Sequence, residues 1–226
     1  MERVTPPQVS GIILAGGKSR RMGKDKAFLD FGGTPLIARV IARMQAVCAP
    51  VLLVANDAAA YAPFGLPIVG DLYPGKGSLG GIFSGLQAVP TEHALVVACD
   101  MPFLNVDLLR YLIALAPQAD IVVPHAIDPS SNPAHEGKKM RRAGKILARA
   151  SDLHPLHAIY AKACLAPMHA QLRADDLRII SFFETVRVRI VEPAEVDRFD
   201  PQHLSFFNAN TPDDFQRAAT LAAAKP

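Results

Sequence analysis

The chain has 226 residues, half of them apolar and 20% charged, with a formal net charge of +3. That is the composition of a globular chain long enough to bury a core without staples, and the small positive excess argues against a nucleic-acid partner. Apolar runs reach only about ten residues where a bilayer span needs ~20, and MERVTPPQVS lacks the apolar centre of a secretory signal, so a cytoplasmic protein with no membrane partner is expected.

VSGIILAGG reads as a buried strand running into a glycine turn. Basic residues crowd the segment behind it: Lys18, Arg20, Arg21, Lys24 and Lys26. TPLIARVIARMQAV has apolar residues at helical spacing, with Thr34 placed to cap it and Pro35 at the first helical position. APVLLVAND and LPIVGD read as the second and third strands. SLGGIFSGLQAV is a helix weakened by glycines. HALVVACD is a fourth strand, broken by Met101-Pro102, and LNVDLLRYLIALA is a helix with Asn105 at its cap. ADIVVPHA is a fifth strand.

Alternation of strand and helix over the first 125 residues points to α/β architecture, a mostly parallel sheet with helices on both faces. Near-continuous Val/Ile/Leu runs suit strands covered on both sides. In such sheets ligands sit beyond the carboxyl ends of the strands, where LAGG, Asp71 and Asp100 all fall. The expectation is one three-layer α/β/α domain over residues 1–226, Rossmann-like, with a mixed sheet.

Residues 128–151 interrupt the pattern. The first half is turn-rich and the second carries six Lys or Arg between Lys138 and Arg149. It reads as a basic insert: a solvated loop with a surface helix, or a flap over an anionic substrate. HPLHAIYAKACL follows, then a helix through APMHAQLRA and a strand RVRIVE. Thr211, Pro212, Asp213 and Asp214 make a strong start for a final helix. Cys48, Cys99 and Cys164 show no CxxC spacing and read as reduced core thiols. His154 and His157, three apart with no third ligand nearby, read as surface or packing histidines.

Two motifs mislead. Gly17-Lys18-Ser19 resembles the end of a P-loop, but the first glycine of that motif would fall on Ile12. Gly75, Gly77 and Gly80 match the GxGxxG of a dinucleotide site, with Asp100 twenty residues beyond, yet Asp71-Leu72-Tyr73-Pro74 separates the glycines from their strand. The chemistry lies in the first stretch. Adjacent glycines after a strand let the backbone approach a ligand and form an anion nest, and arginine and lysine beside it suit phosphate. Asp100, at the same edge, suits a hard cation such as Mg²⁺, which completes its shell with water and substrate phosphates. Asp71 is a second ligand or a sugar contact.

LAGGKSRRMGKDKAFL closely resembles the signature of nucleotidyltransferases, and within them the molybdenum cofactor guanylyltransferases of the MobA family. The likeness continues in order through Asp71, GSLGGI, CDMPFL at 99–104, HPLHAIY at 154–160 and NANTPDD at 208–214. It implies an α/β nucleotide-binding fold and transfer of GMP from GTP to the phosphate of molybdopterin, with protein partners that take up the product. It further implies that Leu14, Ala15, Gly16 and Gly17 hold the guanine nucleotide. Arg21 and Lys26 then lie on the triphosphate and Asp71 on GTP. Asp100 is the Mg²⁺ ligand, and Pro102, Asn208 and Asn210 belong to the molybdopterin side. An asparagine expected at the end of the second strand falls on Val54, with Asn56 two residues later as its substitute. Ser78 stands where proline is common, and the basic segment looks inserted. Related cytidylyltransferases show LAAG for LAGG, which favours GTP over CTP. The competing readings are a sister enzyme using CTP or a sugar phosphate, an NAD-binding oxidoreductase, and a nucleotide-binding module without catalysis.

Overall fold

The computed structural model describes residues 8–15, 26–126 and 152–223. The basic insert, residues 128–151, lies outside them. Seven strands form one sheet: β1 Val9–Leu14, β2 Val51–Val54, β3 Ile68–Val69, β4 His93–Ala98, β5 Ile121–Pro124, β6 His157–Ala161 and β7 Val188–Val191. Their order is β3-β2-β1-β4-β6-β5-β7. β6 is antiparallel to both neighbours, β4 and β5, and every other pairing is parallel. The sheet is thus mixed but mostly parallel, as the alternation of elements predicts.

The helices are α1 Leu36–Gln45, α2 Ala58–Tyr61, α3 Gly77–Ala88, α4 Val106–Leu115, α5 Leu165–Arg173, α6 Pro193–Val196 and α7 Pro212–Ala223. Two apolar layers cover the sheet. On one face Ile13, Leu53, Leu95, Val97 and Ile159 pack with α1 and α4. On the other Ile12, Leu52, Val96, Ala158 and Tyr160 pack with α3 and α5. Successive strand residues serve opposite faces, so a fully buried run such as Ile12-Ile13 feeds both layers. A third, smaller cluster joins Phe31 and Leu36 to Phe207, Ala209 and Ala218 of α7.

Several local expectations hold. Asn105 caps α4 by accepting from the amides of Asp107 and Leu108. Thr211 and Asp214 cap α7 reciprocally, the Thr211 hydroxyl accepting from the Asp214 amide at 3.1 Å and the Asp214 carboxylate from the Thr211 amide at 2.9 Å. Cys48 and Cys164 are buried, and burial pushes both thiols up to about 12. Cys99 is only half-buried.

Others are corrected. Thr34 does not cap α1. The helix begins at Leu36, and Pro35, extended at ψ 140°, occupies the cap without a side-chain bond. The reason is the preceding turn: Asp30 bridges Pro35, and the Thr34 carbonyl accepts from the Phe31 amide, with Gly32 and Gly33 at positive φ between them. The third strand shrinks to Ile68–Val69, leaving Gly70 and Asp71 in the connection. The HPLHAIY segment, which carries no clear element pattern in the sequence, supplies β6 inside the sheet, between β4 and β5. No helix among the described residues is long and apolar enough to cross a membrane.

Candidate active site

β1 lies where the strand order turns. Its next strand in sequence, β2, lies on one side and β4 on the other. Leu14 is in register with Val54 and with Ala98, so the three carboxyl ends finish level. Such a switch point opens a crevice for a ligand. The Ala15 amide donates to the Val54 carbonyl at 2.9 Å and the Cys99 amide donates to the Leu14 carbonyl at 3.1 Å, which fixes the strand at its exit. Gly16, Gly17 and Arg21 follow directly and lie outside the described residues.

Asp100 comes two residues after the end of β4 and is half-buried. Its carbonyl accepts from the Ala209 amide at 3.0 Å. That bond joins the CDMP turn to the Asn-Ala-Asn segment from the far end of the chain. In this segment Phe207 and Ala209 are buried in the third cluster, whereas Asn208 is half-buried and Asn210 exposed. The alternation of an extended chain seats the apolar residues and leaves the two amides for the site. The Asn208 amide donates to the Phe206 carbonyl at 2.8 Å. Lys26 donates from Nζ to Asn210 Oδ1 at 3.4 Å. Lys26, Asp100, Asn208 and Asn210, spread over the chain, are thus brought together beside the end of β1. Pro102 is buried in the turn beneath them.

Asp71 occupies the neighbouring wall, beyond β3. Its Oδ1 accepts from the Tyr73 amide at 2.9 Å. Asn56 does not stand free for a ligand at its carbonyl. Its Oδ1 accepts from the Asp71 amide at 3.2 Å, so part of its capacity ties β2 to the Asp71 turn. Val54, where an asparagine was expected, packs against Gly81 and Gly85 of α3. The glycines of the GxGxxG motif have a packing reason. Gly75, in the turn before α3, and Gly77, its first residue, adopt φ of 85° and 64°, and a Cβ on Gly80 would stand 3.0 Å from the Tyr73 carbonyl.

Three features of this region are not legible in the sequence. Ser84 of α3 holds the Asp71 turn, and the signal was a serine one helical turn after Gly80. Beside the glycine turn lies a cavity of about 320 Å³, lined by Ser78, Leu153, Pro155 and the stretch Leu177 to Ile180. Arg178 is the charged residue in that apolar wall. The third is the state of His157 at the start of β6. It is fully buried and packs on Phe206 at 4.9 Å, and no partner among the described residues meets hydrogen-bond geometry at either ring nitrogen. Burial, with a smaller effect from His154, pushes the imidazole down to about 3, although the Ser205 backbone offsets part of this. His154 is different, with Nε2 at 2.8 Å from the Ala126 carbonyl. Packing histidines were the expectation for this pair.

Residues 11–187 match the family described as MobA-like NTP transferase domain. The chain belongs to that family. A probable molybdenum cofactor guanylyltransferase of Pelotomaculum thermopropionicum is 35% identical over 95% of this chain and 94% of its own length. One from Chloroflexus aggregans is 38% identical over 92% of each chain. Among solved structures, molybdopterin-guanine dinucleotide biosynthesis protein A from Archaeoglobus fulgidus superposes with a TM-score of 0.74 at 24% identity, covering 95% of this chain and 99% of that one. A 2-C-methyl-D-erythritol 4-phosphate cytidylyltransferase from Thermus thermophilus gives 0.67 at 21% identity, covering 96% and 100%. These structural likenesses fix the nucleotidyltransferase fold. Membership of the MobA-like family sets aside the oxidoreductase reading.

Proposed function

We propose that this chain transfers GMP from GTP to the terminal phosphate of molybdopterin, forming the guanine dinucleotide cofactor and releasing pyrophosphate. The supporting observation is the meeting of Lys26, Asp100 and Asn210 at the switch point of the sheet, in a chain whose relatives over nine-tenths of its length bear the guanylyltransferase name. An oxygen of the molybdopterin phosphate attacks the α-phosphorus of GTP. The bond from the α-phosphorus to the bridging oxygen breaks, and pyrophosphate carries away the electron pair. Transfers of this type need positioning and charge stabilisation rather than a protein nucleophile.

Lys26, with Arg21, meets the triphosphate and offsets the charge that builds on the leaving pyrophosphate. Leu14, Ala15, Gly16 and Gly17 seat the nucleotide against the end of β1, and Asp71 holds it from the α3 side, with Asn56 acting through the Asp71 backbone. Asn208, Asn210 and Pro102 face the acceptor. Asp100 is the residue that would hold Mg²⁺. The donor set fits this ion: Asp100 offers a half-buried carboxylate just beyond the end of β4, and Mg²⁺ is commonly held by one or two carboxylates with substrate phosphates and water. When bound, the ion supplies charge neutralisation at the phosphates.

The test is a transfer assay with Mg²⁺, molybdopterin and each nucleoside triphosphate in turn, reading pyrophosphate release and product mass. A guanine dinucleotide from GTP alone is expected. A cytosine product would overturn the choice of base. Absence of pyrophosphate release with every triphosphate, from folded protein, would overturn the transfer itself.

A further inference from the structure

Asp71 is held by bonds from three sides, and one of them comes from a residue that no reading of the site includes. Ser84 is 1% exposed, in the middle of α3. Its Oγ accepts from the Leu72 amide at 2.9 Å. The same oxygen lies 2.7 Å from the Gly80 carbonyl and 3.2 Å from Asp71 Oδ1. Its single proton therefore has two acceptors, one in its own helix and one in the turn. A helical serine often returns its proton to the carbonyl four residues back. That habit explains the Gly80 contact but not the acceptance from Leu72, which belongs to another segment. Gly80 and Ser84 lie one turn apart on one face of α3. Gly80 lets the turn approach, since a Cβ there would stand 3.1 Å from Asp71 Oδ1, and Ser84 then receives it.

The bonds act on one side of the carboxylate. Asp71 Oδ1 takes the Tyr73 amide at 2.9 Å and the Ser84 hydroxyl at 3.2 Å, while the Asp71 amide is tied to Asn56. With Oδ1 engaged and Oδ2 bonded to no residue among the described ones, Oδ2 is the oxygen that faces a ligand in this assignment. We infer that Ser84 is a positioning residue for the transfer reaction: through Leu72 and Asp71 Oδ1 it orients the Asp71 carboxylate toward the nucleotide. This rests on the reading that Asp71 contacts GTP. The reacting atoms do not touch Ser84, so its effect falls on nucleotide binding rather than on the chemical step.

The experiment measures GTP KM and kcat in the Mg²⁺- and molybdopterin-dependent transfer assay, with GTP affinity by calorimetry, for Ser84→Ala, Gly80→Ala, Asp71→Ala and the double variants S84A/D71A and G80A/D71A. Ser84→Ala is expected to raise KM about 5- to 10-fold with kcat within about twofold, the scale of losing one hydrogen bond that orients a contacting group. Gly80→Ala displaces the same carboxylate while keeping the hydroxyl, and shifts KM the same way. In the D71A background neither substitution changes KM further, because the group they orient is gone. A wild-type KM for Ser84→Ala overturns the inference. So does an equal KM rise in both backgrounds, since that marks a role in the fold alone. A wild-type KM for Asp71→Ala overturns the reading of Asp71, and the inference falls with it; that result is distinguishable because it appears without any Ser84 variant.

Discussion

Asp100 and His157 lie close to one sheet edge and differ in every electrostatic respect. Asp100, half-buried after β4, is the carboxylate proposed to hold the cation beside the triphosphate. Asp100→Ala is expected to lower turnover at least ~100-fold at saturating Mg²⁺, the scale of losing one main electrostatic stabiliser; near-normal turnover would take Asp100 out of the mechanism. His157, sealed beneath Phe206, is neutral because burial pushes its pKa from 6.5 down to about 3. The unfolded chain therefore binds a proton that the folded chain refuses between those values. Stability is fully present above pH 6.5 and falls as pH drops from 6.5 toward about 3. Replacing His157 with leucine removes this loss, on the order of a few kcal/mol between the two limits. Urea midpoints at pH 7 and pH 4.5 check it: the wild-type chain loses more on acidification than His157→Leu, and parallel losses would sink the idea.

At the scale of elements, α3 shows why some features were legible and others not. From sequence its glycines signal a weak helix, and in isolation they are a weakness. In the fold they set the distance between helix and sheet. A Cβ on Gly85 would come within 2.7 Å of Ile12 Cγ2 and 3.0 Å of Val54 Cγ2. Gly85→Ala should therefore destabilise by ~1–3 kcal/mol, as overpacking does, despite alanine's better helix propensity. Thermal unfolding of the variant reads this directly, and a raised Tm would refute it. Strands β1, β2, β4 and β5 were legible because their apolar runs are continuous and end at turn residues. β6 was not, because His157 and the preceding Pro155 break its apolar run, and no local signal tells a strand that it will insert antiparallel between two others. Thr34 misled for a similar reason: cap chemistry is local, but the bridge from Asp30 to Pro35 took over the start of α1. That Asp71 and Asp100 fall close beyond the carboxyl ends of β3 and β4 is legible from pattern, whereas the bonds of Ser84 and Asn56 to the Asp71 turn arise only from packing.

Across the whole molecule, the site is closed by joining the two ends of the described chain. The cluster of Phe31, Leu36, Phe207, Ala209 and Ala218 packs the turn before α1 against the Asn-Ala-Asn segment and α7. Phe215 of α7 meets Phe31 edge-on at 5.7 Å, and Phe31 in turn meets Phe103, of the turn after Asp100, at 5.9 Å. Arg39 stands over Phe31 and Arg217 over Phe207, each at a distance suited to a cation–π contact. One aromatic stack therefore supports Pro102-Phe103 from below and Asn208 to Asn210 from the side, while the Asp71 wall across the crevice rests on α3 and shares none of these contacts. Loosening the stack should disturb the acceptor side and spare the nucleotide side. Phe215→Ala removes a half-buried ring, so a loss of ~1–3 kcal/mol is expected, below the cost of a fully buried phenylalanine. Its KM for molybdopterin should rise several-fold while GTP affinity by calorimetry stays within about twofold, since differential binding of this size reflects roughly 1 kcal/mol. Equal weakening toward both substrates would mean that the third cluster supports the fold as a whole and not one half of the crevice.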